Sequence, residues 1–93
     1  MITFIVYTRA GCHLCEDMQI HLSSLQNDYS FALEVRDVDQ DPEWAEKFDD
    51  KVPVLFWGDQ EICRYFLDLV KFKDIFLKNI TGKDLQVTHI VDV

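Results

Sequence analysis

Glycine and proline are scarce, at three and two residues in a chain of 93. That excludes a collagen-like, linker-like or generically disordered polymer, each of which leans on one or both. Cysteine is scarce too: three residues are too few for a disulfide-stapled secreted scaffold, and one is left over. Basic side chains are outnumbered, with nine Lys and Arg against seventeen Asp and Glu and a formal net charge of -8. That balance opposes non-specific nucleic-acid binding, which works by neutralising phosphates, and it mildly disfavours anionic partners. No stretch reaches the roughly 20 apolar residues of a membrane span. The opening Met1-Ile2-Thr3-Phe4-Ile5-Val6-Tyr7 has no basic leader and ends too soon for a signal peptide. Nor is there a phosphate-cradling glycine loop. The expectation is a cytoplasmic protein with neither a nucleic-acid nor a membrane partner.

What is present suffices for one small domain with a compact core: 48% hydrophobic residues, including seven Phe, two Trp and three Tyr. Tyr7, Trp44, Trp57 and the phenylalanines read first as core, and an exposed aromatic near Cys12 would serve as a docking surface. Charge is unevenly spread. Residues 34–50 hold eight acids and two bases, whereas residues 64–83 hold five bases and two acids. Both segments read as solvated surface, or alternatively as a dipole that orients a partner.

Hydrophobic patterning divides the chain into seven elements. Residues 2–7 are almost wholly apolar, as in a central strand covered on both faces. Thr8-Arg9-Ala10-Gly11 breaks the strand, and Leu14, Met18, Leu22 and Leu25 then share one stripe of a helix over about 12–26. A second strand runs from Tyr29 or Ser30 to Arg36, with Phe31, Leu33 and Val35 on the more buried face. Asp41-Pro42 opens a short helix carrying Trp44, Ala45 and Phe48, with aspartate as cap and proline at the first helical position. Val52 to Trp57 forms a third strand, Gly58-Asp59 turns it, and residues 60–63 return as a hairpin. A last helix is expected over 66–78, with Leu67, Val70, Ile75 and Leu77 fitting it and the Phe66, Phe72 and Phe76 rings crowding it. Asn79 and Gly82 would end it.

This order predicts an α/β sandwich on one mixed sheet: two strand–helix–strand units able to pair in parallel, and an antiparallel edge from the hairpin. Residues 1–78 complete that domain. Residues 79–93 are an extension, read either as a fifth strand, since Leu85, Val87 and His89 alternate with polar residues, or as a tail.

The chemistry concentrates in Cys12-His13-Leu14-Cys15. Two sulfurs three residues apart at a helix start occupy unequal places. The unpaired N–H groups and dipole of the first turn favour the Cys12 thiolate, lowering its pKa below the free value of about 8.5, and give Cys15 no such help. A two-step exchange needs that asymmetry: Cys12 attacks a disulfide and Cys15 resolves the mixed disulfide. His13, when protonated, would stabilise the thiolate further, while Glu16 and Asp17 oppose it. Two other readings stay open. Cys12, Cys15 and Cys63 with His13, His21 or His89 offer four zinc ligands, although a second close-spaced knuckle is missing. The pair could also be inert core cysteines. Cys63 reads as a buried strand-end residue or a third redox thiol, and His21 and His89 as surface or packing residues.

With these residues in hand, the sequence resembles the thioredoxin superfamily, and within it the small glutaredoxin-like proteins. The resemblance rests on the strand of residues 2–7, Tyr7-Thr8 leading into the cysteine pair, Val52-Pro53 placed 38 residues after Cys15, and Cys63-Arg64 after the hairpin. It implies a thioredoxin-like, glutaredoxin-type three-layer sandwich with a mixed four-stranded sheet. It further implies a thiol–disulfide oxidoreductase with a cis Val52–Pro53 bond facing the sulfurs, X-Pro being the common home of such bonds. Val52 would offer its backbone groups to an extended substrate, and Pro53 would remove a stray donor beside the sulfurs. The partners implied are a disulfide-containing protein or small thiol substrate, and a reductant that is either glutathione or a thioredoxin-reductase-like protein. No bound cofactor is implied, and Arg9 is the residue placed to contact glutathione.

Glutathione-dependent relatives carry a Gly-Gly pair and an acidic residue near the last helix. Here that region reads Gly58-Asp59-Gln60-Glu61-Ile62-Cys63-Arg64. The middle motif residues are His13-Leu14 in place of Pro-Tyr. These departures speak against a built glutathione site and leave dithiol exchange untouched. A non-catalytic adaptor that kept the fold, using the acidic segment or the extension as its contact surface, is the alternative function. A metal-binding module is a more distant one.

Overall fold

The computed structural model describes residues 2–79. The elements are β1 (Ile2–Thr8), α1 (His13–Leu25), β2 (Phe31–Asp37), a 3-10 turn at Val38–Gln40, α2 (Pro42–Phe48), β3 (Val54–Trp57), β4 (Gln60–Arg64) and α3 (Leu69–Asn79). They build one four-stranded sheet in the order β2-β1-β3-β4. β1 pairs with β2 in parallel from Ile2↔Phe31 to Thr8↔Asp37. The second expected parallel pair does not form. β3 runs antiparallel to β1, with Tyr7 opposite Val54 and Ile5 opposite Phe56, so only the first strand–helix–strand unit is a parallel crossover. The link through α2 is short, and it turns the chain back beside β1 in the opposite sense. β4 completes the antiparallel half, with a bulge between Leu55 and Phe56.

β1 divides the molecule because its side chains alternate between two cores. Ile2, Phe4 and Val6 point into a cluster with Met18 and Leu22 of α1 and Phe72, Ile75 and Phe76 of α3. Tyr7 points the other way, into a smaller cluster with Cys15, Val38, Phe48, Val52 and Val54. Helices therefore cover both faces, which gives the three-layer sandwich expected from the sequence. α2 starts where Asp41-Pro42 predicted: Asp41 Oδ1 accepts from the Glu43 N–H at 2.9 Å. Asp37 caps the unanticipated 3-10 turn in the same way, accepting from the Asp39 N–H at 2.9 Å.

The last helix departs most from its expected form. It begins at Leu69 because Asp68 Oδ1 accepts from the Lys71 N–H at 3.0 Å, an aspartate cap that leaves Phe66 and Leu67 in the preceding turn. Its buried residues are Phe72, Ile75 and Phe76, whereas Val70 is 80% exposed and Leu77 52%. The rings belong to the core. Phe72 lies 4.9 Å from Phe4 and 5.3 Å from Phe31 between centroids, and the Phe4–Phe31 pair is edge-to-face. On β2, an edge strand, Phe31 is buried but Val35 is exposed. The helix ends on Asn79, whose Nδ2 donates back to the Ile75 carbonyl at 2.8 Å. Gly82, His89 and the fifth strand or tail expected of the extension lie outside the described residues.

Phe72→Ala should lower unfolding free energy by about 3–5 kcal/mol through lost burial and a residual cavity. Val70→Ala, on the exposed face, should stay within about 0.5 kcal/mol. Urea denaturation followed by far-UV circular dichroism measures both, and equal losses would contradict this packing.

Candidate active site

β1 ends at the buried Thr8, and the chain must turn sharply to start α1 on the sheet's face. Gly11 makes the turn at φ +75, a left-handed conformation open to glycine at little cost. Cys12 follows in extended conformation as the N-cap of α1. Its Sγ accepts from the Cys15 N–H at 3.1 Å, and its carbonyl accepts from the Glu16 N–H at 3.1 Å. The sulfur thus takes the place that a serine or aspartate oxygen usually holds at a helix start. Cys12 and Cys15 are joined as a disulfide, with Cα atoms 5.2 Å apart. The two sulfurs differ in access: Cys15 is 1% exposed within the smaller core, and Cys12 stands half-buried at that core's margin. The inert-core reading fits Cys15 alone and fails for the pair.

Val52–Pro53 is a cis peptide, and both residues are buried. Val52 packs in the same cluster as Cys15, which brings residues far apart in sequence together. The Pro53 carbonyl accepts from the Tyr65 N–H at 2.7 Å. Among the described residues no hydrogen bond engages the Val52 amide or carbonyl.

Of the remaining predicted residues, His13 and Arg9 adjoin the motif in sequence, and Cys63 lies on β4. The His13 side chain is 96% exposed, with Nδ1 3.9 Å from Glu16 Oε1. Arg9 points toward the 3-10 turn, where Nη2 lies 3.3 Å from Asp39 Oδ1. Cys63 is unpaired and packs at the edge of the larger core, and its burial pushes the thiol above its ordinary range. A hydrogen bond from the Asp68 backbone opposes that shift in part. Next to it, Arg64 clamps Glu61 with two bonds of 2.7 Å and holds that carboxyl below the usual range. Among the described residues no three His, Cys, Asp or Glu side chains converge as a ligand set. No helix among them is long and apolar enough to cross a membrane.

Sequence reasoning missed the turn at Tyr65 and Phe66, because it started the last helix at residue 66. Tyr65 holds φ +69, and Phe66 is 71% exposed. The available signal was Asp68, whose capping position would have placed these rings ahead of the helix.

A half-exposed sulfur capping a helix and a buried sulfur bonded to it, with Val52 packed in the same cluster, form a redox dithiol centre. The arrangement supports catalytic thiol–disulfide exchange. Comparison with known proteins agrees. The model of the glutaredoxin-like domain (DUF836) matches residues 3–86. The solution NMR structure of protein Ne2328 from Nitrosomonas europaea is 40% identical, with a TM-score of 0.73, over 81% of this chain and 91% of that one. A malarial protein is 18% identical with a TM-score of 0.60, covering 87% of this chain and 99% of its own. The germline-specific thioredoxin Deadhead from Drosophila melanogaster is 20% identical with a TM-score of 0.55, covering 85% and 81%; these two share the fold. No curated protein sequence matches the chain. On the span of the domain match and the identity to the Nitrosomonas protein, the chain belongs to the glutaredoxin-like domain family.

Proposed function

We propose that Cys12 is the attacking thiolate and Cys15 the resolving thiol of a dithiol exchange on disulfide-containing polypeptides or small thiols. The observation that carries this assignment is the unequal setting of the two sulfurs: Cys12 half-exposed and met by a helix N–H at 3.1 Å, Cys15 buried beneath it. In the reduced protein the same N–H favours the thiolate at Cys12, because a helix's first turn is electropositive.

The reaction balances in two steps. Cys12 S⁻ attacks one sulfur of the substrate disulfide; that S–S bond breaks, the other half leaves as a thiolate and takes up a proton, and Cys12 is joined to the first half. Cys15 then loses its proton and attacks the Cys12 sulfur, expelling the first half as the second thiol. Two electrons pass to the substrate, and Cys12–Cys15 becomes the disulfide. A second thiol partner, glutathione or a thioredoxin-reductase-like protein, would return the electrons.

Val52 is proposed to hold the substrate backbone, since its amide and carbonyl have no hydrogen-bond partner among the described residues and adjoin the buried Pro53. His13 would tune the Cys12 sulfur through its charge, opposed by Glu16 beside it. Arg9, held toward Asp39 through Nη2, keeps further N–H donors with which it would contact glutathione. Dithiol chemistry with one cysteine left over also suits a reducing, cytoplasmic setting.

Cys12→Ser should abolish exchange with hydroxyethyl disulfide, whereas Cys15→Ser should stop after the first step and accumulate a mixed disulfide on Cys12, seen by intact-protein mass spectrometry. Loss of adduct formation in Cys15→Ser would reverse the two roles. In that variant, iodoacetamide at pH 7 should modify Cys12 at least about tenfold faster than Cys63, whose raised thiol pKa keeps it protonated until the pH is well alkaline. Equal rates would remove the claim of an activated sulfur.

A further inference from the structure

Helix α2 carries a cavity that no step of the exchange uses. It measures about 460 Å³ and is lined by Tyr7 of β1 and by Glu43, Trp44, Glu46, Lys47 and Phe48 of α2. That volume is within the roughly 300–1,000 Å³ typical of ligand-binding clefts. Neither sulfur lines it, nor does Val52 or Pro53. Its floor is aromatic: the buried Tyr7 packs 4.3 Å from Phe48 and 5.7 Å from Trp44 between ring centroids.

The chain's own cations show what these rings hold. The Arg36 guanidinium lies 5.1 Å from the Trp44 ring centre and 5.6 Å from that of Tyr7. The Lys47 ammonium lies 5.5 Å from the Phe48 ring and 6.0 Å from that of Phe56. A cation at such distances over a ring face is attracted by the ring's quadrupole. The two are held unequally. Arg36 is fixed, paired with Glu34 and donating to Tyr7 Oη at 2.9 Å. Lys47 is exposed and makes no ion pair among the described residues, so its place on the rings is open to a competitor. Guanidinium is the better competitor, being planar and less strongly hydrated than ammonium. The surrounding charge also favours a cation. Glu43 and Glu46 line the cavity without ion pairs among the described residues. Over residues 34–51 eight acids stand against three bases, Arg36, Lys47 and Lys51. Adding Arg9, which pairs with Asp39, leaves the balance negative.

We infer that this cavity docks an arginine side chain from a basic segment of a protein partner. The guanidinium takes the carboxylates of Glu43 and Glu46, the stem lies against the aromatic floor, and Lys47 gives up its place on the rings. A polypeptide suits the site better than a free small cation, because carboxylates without ion pairs continue past both ends of α2, at Asp41 and at Asp49 and Asp50. From Asp41 to Asp49 the span is roughly 12 Å at about 1.5 Å per helical residue, more than one side chain covers. Anionic partners are disfavoured by the same balance of charge. None of the lining residues takes part in the exchange, so the docking site is independent of the exchange function.

The test uses the oxidised full-length protein and a cysteine-free probe, acetyl-Gly-Arg-Gly-Arg-Gly-amide. Matched peptides carry Lys, Gln or Glu in place of both arginines, and acetyl-arginine amide stands for a free small cation. Binding is followed by proton–nitrogen NMR shifts. The arginine peptide should give saturable shifts centred on Tyr7 and residues 43–48, including the Trp44 indole N–H. It should bind at least about fivefold more tightly than the glutamine peptide and about twofold more tightly than the lysine peptide. Its affinity should fall several-fold between about 20 and about 200 mM salt. The glutamate peptide should not bind. Glu43→Gln combined with Glu46→Gln should cost at least about fivefold in affinity. Asp17→Asn combined with Asp59→Asn, an equal charge change at exposed sites off the cavity, should cost less than about twofold. Lys47→Gln should tighten binding. Trp44→Leu should erase the preference for arginine over lysine, a ratio insensitive to the fraction folded. Equal losses in the two double variants overturn the inference, as do shifts centred away from the cavity, a glutamate peptide that binds as well, or no saturation below about 5 mM. Acetyl-arginine amide binding as tightly as the arginine peptide overturns the assignment to a protein partner. Each of these results leaves the exchange function standing, since reduction of hydroxyethyl disulfide reads that separately.

Discussion

The first turn of a helix leaves backbone N–H groups without partners, and in this protein one of them is turned on a sulfur. The Cys15 N–H meets Cys12 Sγ at 3.1 Å, so the residue that ends the turn after β1 is also the residue that caps α1. That single contact holds the outer sulfur at the mouth of the helix, one turn from its partner. Gly11 is needed to reach it, because the chain must leave a buried strand and enter a helix within a few residues. Cys15, one turn further on, falls on the buried face of the same helix without any separate device. The inequality between the sulfurs is therefore a product of helix geometry.

The rest of the sandwich holds this corner still. β1 sends alternate side chains into two cores, and the larger one anchors α1 and α3 through Met18, Leu22 and the Phe4–Phe31–Phe72 rings. The smaller one packs Val52 into the cluster of Cys15 and, through the neighbouring Pro53 carbonyl, fixes the turn that displays Phe66. The packing behind Cys15 thereby joins stretches of chain far apart in sequence.

Much of this was legible in the sequence wherever one residue type has one physical job. Asp41-Pro42 could be read as a helix start, the apolar run of residues 2–7 as a central strand, and the cysteine spacing as a helix-capping pair. Val52-Pro53 became informative only beside the cysteines, since its partner surface is assembled by the fold. The errors arose where a local pattern had two solutions. Strand direction is not written in strand composition, so β3 was free to return antiparallel. In the last helix, aliphatic and aromatic residues compete for one buried stripe, and the Phe4 and Phe31 rings opposite decide it in favour of Phe72 and Phe76.

The central claim is that Cys12 and Cys15 interconvert as one two-electron couple. Equilibrating the protein in glutathione buffers of graded potential, then trapping and weighing it, tests this most directly. The account predicts a single transition of two electrons per molecule between dithiol and intramolecular disulfide, within the range of about -270 to -120 mV spanned by thioredoxin-fold dithiols. Cys63 should remain a free thiol throughout. A protein that stays fully reduced across that range, or that accumulates a stable glutathione adduct on Cys12 without closing the disulfide, would contradict it.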